Sequence, residues 1–138
     1  IIYTDTIKNN IILNRNINSK DFNEICKLTY VNDIVSELYL GYDTLIEENG
    51  ANISGGQKQK IILARSLLKP SNILIIDEGL NEMDINLERR ILKNIFNKYP
   101  NKTIIVTSHR TENMDLYNQV IKIEDGRIIE NLKKKNYY

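Results

Sequence analysis

The sequence predicts an α/β fold: part of a parallel sheet with flanking helices, a helical amino-terminal portion and a carboxyl-terminal β-hairpin. Three observations carry this. First, Ile73 to Ile76 and Thr103 to Thr107 are short apolar runs rich in β-branched residues, the composition of parallel strands buried on both faces. Second, the segment between them has apolar residues at helical spacing, Leu87, Ile91, Leu92, Ile95 and Phe96, so the two strands read as a strand–helix–strand unit. Third, Gln119 to Ile123 and Ile128 to Glu130 flank Glu124-Asp125-Gly126-Arg127, a turn of hairpin type.

Taken in order, Tyr3 to Ile11 begins with capping residues and predicts a short helix. Asn14 to Ser19 is polar and reads as a loop. Ser19 is the expected cap of a helix with Phe22, Ile25, Cys26 and Thr29 on one face, and Asn32 of a second helix through Ile34, Val35 and Leu38. Gly41 to Gly50 is polar and turn-prone, a solvated loop or a contact surface. Ser54 caps a helix whose apolar residues are Ile61, Ala64, Leu67 and Leu68, with Pro70 just past its end. Asp84 or Asn86 caps the helix that runs to Pro100. Glu112 to Tyr117 is a further short helix, and Lys133 to Tyr138 a frayed tail.

The chain has 138 residues, enough for one modest domain, with 41% hydrophobic and 27% charged residues. A net charge of +1 gives no electrostatic case for nucleic acid, and none is expected as a partner. Cys26 has no second cysteine to pair with and reads as a small buried filler in a reducing setting. No apolar run reaches membrane-spanning length. The chain opens on Ile1, which reads as a piece of a longer polypeptide.

Two stretches carry chemistry. Ser54, Gly55 and Gly56 lie where a helix presents free N–H groups and the positive end of its dipole, a natural seat for phosphate. An ordinary capped helix start has the same residues. Asp77 and Glu78 follow an apolar strand at its carboxyl end, where open α/β sheets hold ligands. One acid can help hold Mg²⁺ near a phosphate, and the other can polarise a water. His109, the only histidine, falls at the end of the second strand and so at the same sheet edge.

Ile53-Ser54-Gly55-Gly56-Gln57 resembles the LSGGQ signature of ABC ATPases, and Ile73 to Asp77 resembles their Walker B strand, with Glu78 in the place of the catalytic glutamate. The chain is thereby similar to the carboxyl-terminal part of an ABC transporter nucleotide-binding domain, from just after the Q-loop. The fold implied is a partial P-loop NTPase-like ABC ATPase fold: residues 1–52 a helical subdomain and X-loop region, 53–132 the carboxyl-terminal part of the ATPase core, 133–138 a tail. Gly41 to Gly50 is similar to the exporter X-loop, with Glu48 and Gly50 matching and Glu47 and Asn49 departing from it. Asp84 takes the place of the D-loop aspartate, although Gly79 to Met83 departs from the usual Ala-Thr-Ser-Ala-Leu. His109 matches the switch histidine.

The resemblance implies ATP and Mg²⁺ as ligands, with Asp77 binding the metal, through water. Glu78 and His109 are the implied catalytic residues of one site. Ser54, Gly55, Gly56 and Gln57 are implied to close on nucleotide held by a second nucleotide-binding domain, with Asp84 at the dimer interface. Transmembrane domains, touched through Glu48, are the implied partners, at the cytoplasmic face of a bacterial plasma membrane. The 138 residues contain no Gly-x-x-x-x-Gly-Lys-Ser/Thr, so the chain by itself is expected to be inactive. The runs Asp77 to Asp84 and Ser108 to Asn113 look most like peptide or bacteriocin exporters. A soluble ABC ATPase acting on DNA or ribosomes, and a degenerate non-catalytic partner-binding module, are the alternatives.

Overall fold

The structure, a computed structural model, describes residues 1–134. Its helices are α1 (Ile7–Ile12), α2 (Ser19–Leu28), α3 (Val31–Ser36), α4 (Gly55–Leu67) and α5 (Ile85–Lys98). Its strands are β1 (Ile73–Asp77), β2 (Thr103–Thr107), β3 (Gln119–Glu124) and β4 (Arg127–Lys133). Strands β1 and β2 pair in parallel, Ile73 opposite Thr103 and Asp77 opposite Thr107. That register brings the two strand ends, and the residues that follow them, to one edge. Strands β3 and β4 form a separate antiparallel hairpin. Its turn has positive φ at both Asp125 (47°) and Gly126 (72°), the geometry that matches the twist of two flanking strands.

One buried apolar cluster runs through both the helical portion and the strands. It joins Ile7 and Ile11 of α1, Ile25 and Cys26 of α2, Ile61 and Leu63 of α4, Leu74 and Ile76 of β1, and Ile91, Leu92 and Ile95 of α5. The amphipathic stripes expected for α4 and α5 are thus the faces they bury. Polar ties reinforce the junction between α1 and α4. Asn10, fully buried, donates from its side-chain amide to the carbonyls of Tyr3 and Thr6 (2.9 and 3.1 Å), while Arg65 of α4 donates to its carbonyl and its side-chain oxygen (2.6 and 3.0 Å).

The structure corrects five local expectations. Strand β1 is buried on one face only. Leu74 and Ile76 point into the core, while Ile73 and Ile75 are 56% and 64% exposed, because no described element covers the opposite face. The cap of α2 is Asn18, one residue before Ser19. Its extended backbone lets its side-chain oxygen accept from the Asp21 N–H at 2.8 Å. Helix α3 follows Tyr30 in a left-handed conformation with no side-chain cap, and Asn32 instead accepts from the Tyr42 hydroxyl at 2.5 Å. Lys133 closes β4, and the Lys134 N–H donates to the Asn118 carbonyl at 2.8 Å, so the expected frayed tail does not begin at residue 133. The rest of that tail, residues 135–138, lies outside the described residues. The expected helix at Glu112 to Tyr117 is reduced to a 3₁₀ turn at Met114–Leu116.

Candidate phosphate-binding and hydrolytic half-sites

The first half-site is the start of α4. Ser54 is its N-cap, with extended φ and ψ of −68° and 161°. Its hydroxyl accepts from the Gln57 N–H at 3.2 Å, and the Gln57 side-chain oxygen accepts from the Ser54 N–H at 2.8 Å. This reciprocal capping box fixes the entry of the chain into the helix. The side chain of Gln57 is therefore used to lock the turn. Gly55 and Gly56 occupy the first turn, where backbone N–H groups have no partner within the helix and the dipole is positive. Ser54 is exposed and the two glycines are half-buried, so the turn faces outward as the sequence predicts.

The segment 41–50 is stitched to this turn. Asn52 donates to the Leu45 carbonyl at 2.9 Å and accepts from the Glu47 N–H at 3.0 Å. Thr6 and Leu45 form an isolated bridge, and the Ile46 N–H donates to the Asp5 carbonyl at 2.9 Å. Glu48 lies exposed in the 3₁₀ turn Glu48–Gly50.

The second half-site is the carboxyl edge of β1 and β2. The parallel register sets Thr107 beside Asp77, and its hydroxyl donates to Asp77 Oδ1 at 2.5 Å. The Glu78 N–H donates to both the carbonyl and the hydroxyl oxygen of Thr107, at 3.2 and 3.1 Å. Glu78 is held at φ 49°, in the left-handed region that costs a non-glycine residue energy. This turns its side chain toward His109, whose Nε2 lies 2.6 Å from Glu78 Oε1. Both side chains remain largely open to solvent, at 85% for His109 and 53% for Glu78. A carboxylate and an imidazole in contact, both reachable by a ligand, can share a proton and orient a water between them.

Asp77 is exposed, with one oxygen engaged by Thr107. This donor set suits Mg²⁺, which takes one or two carboxylates and fills its remaining positions with water and phosphate oxygens. Among the described residues no group of three or more His, Cys, Asp or Glu side chains could enclose a metal by itself.

The loop from Glu78 to Asp84 joins the two half-sites. Leu80 and Met83 are buried and anchor it. Asp84 accepts from the Asn86 and Leu87 N–H groups at 2.9 and 3.1 Å and is the N-cap of α5, so Asn86 donates instead of capping. From α4, the Gln59 side-chain oxygen accepts from the Glu82 N–H at 3.1 Å. From beyond His109, the Arg110 guanidinium donates to the carbonyls of Met83 (2.7 Å) and Asn81 and to Oε2 of the buried Glu88 (2.9 Å). Gln59, Thr107, Arg110 and Glu88 are not among the site residues expected from the sequence. Only Arg110, next to the lone histidine, carried a positional signal. The others depend on strand register and helix rotation.

This geometry is that of an ATP-binding cassette core, and the comparisons agree. The family model described as "ABC transporter" matches residues 3–81, and the chain belongs to that family. It is 38% identical over 131 residues to an ATP-dependent lipid A-core flippase of Pectobacterium atrosepticum and 34% identical to one of Vibrio vulnificus, in each case over 94% of this chain. It spans 22% of the length of these relatives. Its fold superimposes on a bacterial Atm1-family ABC exporter solved with ATP bound, with TM-score 0.87 and 29% identity, over 95% of this chain and 23% of the other. The chain therefore has a partial ABC ATPase fold of exporter type.

Proposed function

We propose that these residues form the carboxyl-terminal part of a nucleotide-binding domain that hydrolyses ATP to drive an exporter. The observation that carries this is the Glu78–His109 contact at the end of a parallel strand pair, in a chain that also carries a capped, outward-facing Ser54–Gln57 turn. The two half-sites belong to different ATP sites in a dimer of such domains. Glu78 takes up proton density from the attacking water and orients it. His109 holds the Glu78 carboxylate in place and donates toward the terminal phosphate. Ser54 offers its hydroxyl, and Gly55 and Gly56 their N–H groups, to the nucleotide of the opposing domain, with Gln57 keeping the turn rigid. Asp77, steadied by Thr107, would hold Mg²⁺, which when bound neutralises phosphate charge. Asp84 shapes the loop that faces the second domain. The exposed Glu48 meets transmembrane domains, which places the domain at the cytoplasmic face of a bacterial plasma membrane.

The names of the relatives favour an exporter over a soluble ATPase acting on DNA or ribosomes. They also favour a lipid cargo over the peptide or bacteriocin expected from the Asp77–Asp84 and Ser108–Asn113 runs, because those relatives are flippases of lipid A-core. The intact Glu78–His109 pair speaks for catalysis over a degenerate module. With no Walker A motif among the 138 residues, this stretch expressed alone turns over no ATP. The test is steady-state hydrolysis by the complete exporter carrying Glu78→Gln, which removes the charge that polarises water. Loss of about 10²-fold or more is expected for a general base; turnover at the wild-type rate refutes the assignment.

A further inference from the structure

The loop between the half-sites departs from the family pattern most sharply at Glu82, where the resemblance expects Ala. The structure shows where that added charge goes. A carboxylate oxygen of Glu82 lies only 1.4 Å from the point a Cβ on Gly55 would occupy, so the acid rests directly on the α-carbon of the first helical residue of α4. The main chain of Glu82 sits close as well. Its carbonyl oxygen is 3.1 Å from the equivalent Cβ position on Gly56. The backbone that carries this exposed side chain is anchored. The Glu82 N–H is held by Gln59 of α4, and the carbonyls on either side of it, those of Asn81 and Met83, are held by Arg110. Among the described residues no Lys, Arg or His nitrogen forms an ion pair with Glu82.

We propose that Glu82 is a charge-bearing residue of the Ser54–Gln57 half-site that lowers its affinity for the terminal phosphate of ATP presented by the opposing domain. The inference rests on the function proposed above. A phosphate approaching the Gly55 and Gly56 amides meets a negative charge already placed at the positive end of the helix dipole. The carboxylate partly satisfies the field that would otherwise draw the phosphate, and it repels the phosphate directly. Glu82 thus sets the ATP concentration at which the two domains close. The effect is electrostatic, so it weakens as salt rises and does not depend on the bulk of the side chain.

The test is the ATP dependence of hydrolysis by the complete exporter with Glu82→Gln and Glu82→Ala, at low ionic strength and near 1 M salt. Gln keeps the shape and removes the charge. Both variants are expected to lower KM for ATP by about two- to fivefold at low salt, with the difference from wild type largely gone near 1 M, where the screening length falls to about 3 Å. An unchanged or raised KM in Glu82→Gln overturns the inference, as does a lowered KM in Glu82→Ala alone, which would make the effect steric. A parallel Glu78→Gln control separates the two levels. If that control abolishes turnover while Glu82→Gln leaves KM in place, the inference about Glu82 fails alone. If the control hydrolyses ATP normally, the functional reading and the inference fall together.

Discussion

Replacing Arg110 with Met leaves a carboxylate stranded in the core. Glu88 is 3% exposed, and among the described residues its only ion-pair partner is the Arg110 guanidinium at 2.9 Å. The same guanidinium holds the Met83 and Asn81 carbonyls. Breaking a buried ion pair by removing one partner costs about 3–5 kcal/mol. The Arg110 side chain is 26% exposed, so water can reach part of the vacated space, and ~2–4 kcal/mol is the better figure here. The assay is urea unfolding of the complete nucleotide-binding domain. Arg110→Met should lower the midpoint with little change in slope. The double variant Arg110→Met with Glu88→Leu should recover most of the loss, since an apolar pair of similar volume is often as stable as the buried ions it replaces. A single variant within ~0.5 kcal/mol of wild type, the range of an ordinary surface change, would refute the reasoning. So would a double variant no more stable than the single one.

Cys26 is fully buried, and burial pushes its thiol up to about 11, with a smaller opposing contribution from its contact with Tyr42. The folded protein should resist alkylation at pH 8 and react fully in denaturant; rapid labelling of the native state would contradict the packing. Because the thiol binds its proton more tightly folded than unfolded, its contribution to stability is intact below pH 9.0 and lost as pH rises to about 11. A Cys26→Ala variant should flatten that alkaline decline. The exposed Ile73, Ile75 and Ile105 beside a two-stranded sheet should make residues 1–134 self-associate when expressed alone, which light scattering would show as concentration-dependent mass. A monomer across the accessible concentration range would count against it.

The elements were legible wherever local chemistry decides them. The alternation of apolar residues in α4 and α5, the Asp125-Gly126 turn and the Ser54 cap are all set by near neighbours in the chain. Asn18 was missed for Ser19 because two capping residues stand side by side, and only backbone dihedrals choose between them. The apolar run of β1 reads as a strand buried on both faces, while the described residues cover one. Composition reports the environment a strand is suited to, and here it exceeds the cover present. At the site, the placement of Asp77, Glu78 and His109 at one sheet edge and of Ser54–Gln57 at a helix start follows from order and spacing. The contacts of Thr107, Gln59 and Arg110 do not, because they cross 19 to 30 positions of sequence and exist only once register and helix rotation are fixed.

The central claim is that the glycine turn and the carboxylate edge of one chain serve two different nucleotides. Dimers assembled from two differently substituted copies test it most directly, with Ser54→Arg to block the turn and Glu78→Gln to disable the edge. With both substitutions in one copy and none in the other, each ATP site carries one defect and hydrolysis should vanish. With one substitution in each copy, both defects fall in a single shared site, and the other site should keep measurable turnover. The reverse pattern, with activity surviving only when both changes lie in the same copy, would show that each chain completes its own site.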